Sequence, residues 1–187
     1  GTVLAGKVLA YAASQRGWGV RTAETIGMAQ RGGSVVSHVR IGNNGEEIYA
    51  PLIPMGTADV VMGFEPGEAA RALPYLSKTG TVVSATSKIE PITASLATAN
   101  YEVEEIFDGI RASLQDTQAN LVVVDDAAII SAIGGNRKML NTVMLAAATK
   151  AGCLPIGKDE LCAAIRECVK PAFVDMNLTA IDTVFAL

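Results

Sequence analysis

The stretch Asp59-Val60-Val61-Met62-Gly63-Phe64-Glu65-Pro66-Gly67-Glu68 takes the chain from one kind of structure into another. Residues 59–64 form a short apolar run of the kind that builds a buried strand. Pro66 suits the first turn of a helix, where its missing N–H is not needed. Residues 68–73 then read as a brief helix. Glu65 stands at the join. The carboxyl end of a strand is where α/β sheets collect ligands, and the start of a helix is where a carboxylate complements the dipole. Both readings of Glu65 stay open.

The same alternation continues downstream. After a Lys78-Thr79-Gly80 turn, residues 81–85 make a second apolar strand. Residues 121–124 make a third, closed by Asp125-Asp126. Helical spacing marks 91–99 and 104–114, the latter with Ile106, Phe107, Ile110 and Leu114 on its inner face. A short helix at 127–133 stops at Gly134-Gly135. Asn136 then caps a long helix to 151, and 158–169 and 177–185 complete the series. Upstream, Leu4, Val8, Tyr11 and Ala12 recur along a helix at 2–15 that ends at Gly17 and Gly19. An extended piece at 20–22 leads into 23–31, which suits a short helix or a structured loop. Residues 34–41 form a β-branched strand, Asn43-Asn44-Gly45 is a hairpin turn signal, and 46–52 is the returning strand. Strands alternating with helices predict a Rossmann-like three-layer α/β/α fold. Its sheet is expected to be mixed, mostly parallel, with one β-hairpin. The length suits one domain over 1–187.

Half of the 187 residues are hydrophobic, only 5% are aromatic, and mean hydropathy is +0.33. No apolar run approaches the roughly 18 residues of a membrane-spanning helix. The surplus of apolar surface predicts a buried sheet or a face covered by another subunit. A net charge of −4 without a basic cluster argues against nucleic acid. Cys153, Cys162 and Cys168 form no Cys-x-x-Cys pair. They read as small buried hydrophobes of a reducing, cytoplasmic environment.

Few of the parts of a self-sufficient catalyst are present. The one histidine, His38, lies inside a strand, where a hydrogen-bonding role is commoner than a catalytic one. There is no Gly-x-Ser-x-Gly elbow, no phosphate loop and no complete Gly-x-Gly-x-x-Gly. Asp125-Asp126 suits helix capping better than metal binding, because adjacent side chains at a strand end point apart. The polar set lies elsewhere, in Glu24-Thr25-Ile26-Gly27-Met28-Ala29-Gln30-Arg31-Gly32-Gly33-Ser34. Arg31 offers a fork of donors for carboxylate or phosphate, and Gly32-Gly33 permits close backbone approach. A helix ending in a glycine cap is the alternative. Glu24, Thr25, Gly27, Gln30, Arg31, Gly32, Gly33, Ser34 and Glu65 are the candidate site residues, facing either a ligand or a partner subunit.

The run from Gly27 to Arg40 resembles the signature of the gamma-type subunit of 2-oxoacid:ferredoxin oxidoreductases, in particular the smaller subunit of the indolepyruvate branch. Pro51-Leu52-Ile53-Pro54, Ala58-Asp59, Gly63-Phe64-Glu65-Pro66, Leu73-Pro74-Tyr75-Leu76, Gly80-Thr81-Val82-Val83, Gly135-Asn136-Arg137 with Asn141, Leu154-Pro155 and Asn177-Leu178 follow in the same order. The resemblance spans essentially the whole chain. It implies a strand and a glycine-rich loop ahead of the first helix, so a missing N-terminal piece is expected before Gly1. It also implies an enzyme that converts a 2-oxoacid and coenzyme A to an acyl-CoA and passes electrons to ferredoxin. Thiamine diphosphate, Mg and 4Fe–4S clusters would reside on a larger alpha subunit, with none on this chain alone. Partners would be that subunit and, through it, ferredoxin; a homodimer is possible in isolation. The other readings are a stand-alone nucleotide- or coenzyme A-binding α/β module and an assembly protein.

Overall fold

A computed structural model describes residues 2–27, 34–43, 45–88 and 102–187. The chain runs α1 (Thr2–Gln15), β1 (Gly19–Ile26), β2 (Val35–Gly42), β3 (Ala58–Gly63), α2 (Pro66–Ala72), β4 (Leu76–Ala85), α3 (Val103–Leu114), β5 (Asn120–Val124), α4 (Asp126–Ala132), α5 (Leu140–Lys150), α6 (Lys158–Cys168) and α7 (Pro171–Ala186). Single 3-10 turns at Leu73–Tyr75 and Arg137–Met139 lead into β4 and α5. The expected helix at 91–99 lies outside the described residues.

β3, β4 and β5 form a parallel sheet in that order. Its middle strand is flanked on both sides and buries Val82, Val83, Ser84 and Ala85. Val82 faces α2 and α3, packing with Ala69, Phe107 and Ile110. Val83 and Ala85 join the larger core built on α5. Alternate residues therefore bury on opposite faces, as in a sheet covered on both sides. α5 is the central helix of that larger core, with Asn141 to Ala146, Ala148 and Thr149 all buried. α1, α4, α6 and α7 surround it. A buried polar contact joins it to α7, where the Thr142 hydroxyl donates to Asn177 Oδ1. Asn177 in turn donates to the Phe173 carbonyl at 2.7 Å.

β3 and α2 approach so closely that a Cβ on Gly63 would lie 2.4 Å from Ala69 Cβ. Only glycine fits there.

Three local expectations are corrected. First, residues 23–26 are neither helix nor loop. They continue β1, which pairs antiparallel with β2 from Gly19↔Gly42 to Ile26↔Val35. The hairpin therefore forms around 27–34, and it is a two-stranded ladder separate from the parallel sheet. Second, residues 46–52 are not a returning strand. The segment crosses the hairpin with its backbone held by side chains. Arg40 Nη1 donates to the Ala50 carbonyl (2.8 Å) and the Leu52 carbonyl (3.5 Å). The Ile53 N–H donates to His38 Nδ1 (3.2 Å). Pro51 and Pro54 have no N–H for a ladder. At the crossing point a Cβ on Gly42 would lie 2.5 Å from the Glu46 carbonyl oxygen. Third, Lys78-Thr79-Gly80 is not a turn before a strand. It lies inside β4, where the pairing with β3 shifts from Ala58↔Leu76 to Val60↔Thr81. The strand absorbs the extra residues as a bulge.

Candidate functional site

Because β3, β4 and β5 are parallel, Gly63, Ala85 and Val124 end at one edge of the sheet. What leaves that edge is polar: Glu65, Thr86-Ser87 and Asp125-Asp126. Glu65 is buried, and its Oε2 accepts the Glu68 N–H at 3.0 Å, capping α2. The capping reading is realised. Asp125 does the same for α4, with Oδ1 accepting the Ala128 N–H at 3.0 Å.

Asp126 turns the other way, as adjacent residues at a strand end should. It is fully buried, and Oδ1 gathers the Thr86 N–H (3.0 Å), the Thr86 hydroxyl (3.2 Å) and the Ser87 N–H (2.9 Å). Its Oδ2 is buried without a hydrogen-bond partner. The carboxylate thus ties the exit of β4 to the start of α4 across 40 positions of sequence. Thr86 and Ser87 drew no attention in the sequence. The available signal was a pair of hydroxyl residues directly after an apolar strand.

The hairpin end reaches the same edge. The Gly27 N–H donates to the Ser34 carbonyl at 3.0 Å, one step beyond the last ladder pair, Ile26↔Val35. The Ser34 hydroxyl donates to Glu68 Oε2 at 2.6 Å. Glu68 also pairs with Arg71 on α2. Ser34 and Glu65, two separate sequence candidates, therefore meet on the first turn of α2 through Glu68. Glu24 and Thr25 are not drawn in. Both are exposed on β1, and the Thr25 hydroxyl donates to the Val36 carbonyl of its own hairpin (3.3 Å). Gln30, Arg31, Gly32 and Gly33 lie outside the described residues.

The chemistry of this edge is that of positioning. Its carboxylates are engaged by backbone N–H groups, which fixes their orientation. His38 is committed to the crossing segment: Nδ1 accepts a backbone N–H, Tyr75 packs edge-on, and burial pushes the imidazole pKa down. Burial pushes the thiols of Cys153, Cys162 and Cys168 up, so they stay protonated and weakly nucleophilic near neutrality. Among the described residues, no three His, Cys, Asp or Glu side chains are grouped to hold a metal ion. Among the described residues, the donor set does not fit an iron–sulfur cluster or a magnesium site. Among the same residues, no helix is long and apolar enough to cross a membrane.

The family model for pyruvate ferredoxin/flavodoxin oxidoreductase matches residues 1–187. A relative from Archaeoglobus fulgidus, named indolepyruvate oxidoreductase subunit IorB, is 38% identical over 182 residues, covering 97% of this chain and 86% of the relative. The keto/oxoacid ferredoxin oxidoreductase gamma subunit from Geobacter sulfurreducens superposes with a TM-score of 0.64 at 19% identity, covering 98% of this chain and 89% of that one. A 2-oxoglutarate:ferredoxin oxidoreductase from Magnetococcus marinus gives 0.67 at 17% identity. The match takes in 97% of this chain but 28% of that one, so the same fold occurs there within a longer chain. With the whole length matched, the chain belongs to the pyruvate ferredoxin/flavodoxin oxidoreductase family, as a subunit of a 2-oxoacid:ferredoxin oxidoreductase.

Proposed function

We propose that this chain is the smaller subunit of an arylpyruvate-type, indolepyruvate-oxidising enzyme, and that it completes the active-site and coenzyme A region of a larger subunit. The observation that carries the substrate class is the 38% identity, over nearly the whole chain, to a relative named for indolepyruvate. The geometry supports a positioning role. The base of the 27–34 loop is fastened to α2 through Ser34 and Glu68, beside the carboxyl edge of the sheet. Arg31 and Gln30 in that loop supply donors to a carboxylate or phosphate of the substrate or coenzyme A, or to a partner carboxylate. Thiamine diphosphate with Mg, bound by the larger subunit, supplies the carbanion chemistry, and that subunit's 4Fe–4S clusters pass electrons to ferredoxin. This chain binds, orients and excludes water.

The test is co-purification from the native cell, followed by assay with indolepyruvate, coenzyme A and a viologen acceptor. The expected complex is brown, contains a larger thiamine-dependent subunit and forms acyl-CoA. In that complex Arg31→Ala should raise one Michaelis constant, or weaken assembly, by about tenfold or more, the effect of losing one charge-assisted contact. Unchanged turnover, Michaelis constants and assembly would remove the loop from the site.

A further inference from the structure

The crossing segment carries an unusual surface. Tyr49 is 86% exposed, Leu52 51% and Met55 67%, three large apolar side chains within seven residues. Single exposed hydrophobics are ordinary. Here they sit together on a segment that has no ladder of its own, in a chain with only 5% aromatics. The backbone beneath them is held in place. Arg40 takes the Ala50 and Leu52 carbonyls, His38 takes the Ile53 N–H, the Thr57 hydroxyl donates to the Pro54 carbonyl (2.8 Å), and the Gly56 N–H donates to the Pro74 carbonyl (2.9 Å). A segment ordered in this way loses little conformational freedom when its side chains are covered.

We infer that residues 49–55 are a preformed docking strip on which the larger subunit of the same enzyme sits, with Tyr49, Leu52 and Met55 as the side chains it covers. The inference rests on the proposed function, because it names the partner of that same assembly. Two observations select this occupant. The first is continuity. Leu52 lies at Arg40 and Ile53 at His38, so the strip runs back along β2 toward the end where Val35 pairs with Ile26. Ile26, the last residue of β1, is 69% exposed. One body covering Ile26 also passes over the strip. The second is area. The three side chains offer about 400 Å² of mostly apolar surface, the scale of a functional patch. Two copies paired through their strips alone would bury about 800 Å² in total, within the range of incidental contacts. A stable interface needs about 800 Å² on each side. A larger partner extending over Ile26 supplies the remainder.

The test compares the full chain with its Tyr49→Ser/Leu52→Ser/Met55→Ser variant, each co-expressed with the larger subunit of the same organism's 2-oxoacid:ferredoxin oxidoreductase. Phe173→Ser, an exposed position on α7, serves as the control. The wild-type chain and the control should co-purify with the larger subunit. The triple variant should lose at least tenfold in complex yield while keeping the wild-type melting temperature when isolated. A triple variant that assembles as well as wild type overturns the strip and leaves the family reading intact. A wild-type chain that binds no larger subunit overturns both. A wild-type homodimer that the triple variant converts to monomer, in sedimentation of the chain alone, makes a second copy the occupant and overturns the inference as stated.

Discussion

Replacing Asp126 with alanine tests whether the polar edge of the sheet is held together as described. Oδ1 accepts three donors, but the Thr86 N–H also lies 3.1 Å from the Val124 carbonyl and keeps that partner. Two contacts are truly lost: the Thr86 hydroxyl at 3.2 Å and the Ser87 N–H at 2.9 Å. Hydrogen bonds to a carboxylate contribute about 1.5–3 kcal/mol each. Against that loss, removal of the buried, unpartnered Oδ2 recovers about 1–3 kcal/mol of desolvation. The expected net cost is about 2–3 kcal/mol. With a urea slope of about 2 kcal/mol/M, the unfolding midpoint should fall by about 1 M. Asp126→Asn keeps the acceptor and should cost less, about 1–2 kcal/mol, because its amide takes the place of Oδ2 without an acceptor. Amide exchange at Ser87 should speed up in the alanine variant and change little in the asparagine one. An Asp126→Ala variant within about 0.5 kcal/mol of wild type would show that Asp126 does not hold this edge. An asparagine variant weaker than the alanine one would show that charge, and not acceptance, is the reason for the residue.

Two further outcomes follow from the packing. Gly63→Ala should cost about 1–3 kcal/mol by overpacking, because the new methyl meets Ala69 Cβ, Cα and N at 2.4, 2.9 and 3.1 Å, none of which can rotate away. Ala69→Gly alone should cost about 1 kcal/mol, and a double-mutant cycle in urea should show the pair less destabilised than the sum; simple additivity would contradict the close approach. For His38, burial lowers the folded pKa below its ordinary 6.5, so on acidification the unfolded chain takes up the proton first. Its contribution is complete above about pH 7.5 and declines as pH falls through 6.5, at up to about 1.4 kcal/mol per unit. Urea midpoints at pH 7.5 and 5.5 should show a drop that is smaller in His38→Asn, whose amide oxygen can still accept the Ile53 N–H. Equal drops in both would show that other groups carry the pH dependence.

Most helices and the three parallel strands were legible from residue order, because each is specified by a local repeat. The period of α3 puts Phe107 and Ile110 inward, and the adjacent apolar pair Val82-Val83 of β4 demands cover on both faces. Capping was legible for the same reason: Glu65, Asp125 and Asn136 each accept an N–H two or three residues further on. Strand partners depend on a competition that periodicity does not encode. β2 has a strand-like segment on each side, and Asn43-Asn44-Gly45 favours the downstream one. The upstream segment wins because it can offer a continuous ladder, whereas Pro51 and Pro54 interrupt the other and leave its backbone to Arg40 and His38.

Residue order alone carried the α/β class and the family, and it singled out the polar stretch from Glu24 to Ser34 and Glu65 as candidates. Each rests on residue identities at short spacing. The tertiary structure decided which of these residues share a location. Ser34 and Glu68 are separated by 34 positions, and Asp126 and Thr86 by 40. Such contacts exist only once parallel strands align their carboxyl ends and α2 packs onto β3. The exposure of Tyr49, Leu52 and Met55 belongs to the same level. In the sequence Tyr49 and Leu52 read as ordinary strand residues, and Met55 lies beyond that strand. They face outward because side chains of β2 hold the backbone of their segment, which leaves their own side chains for another surface.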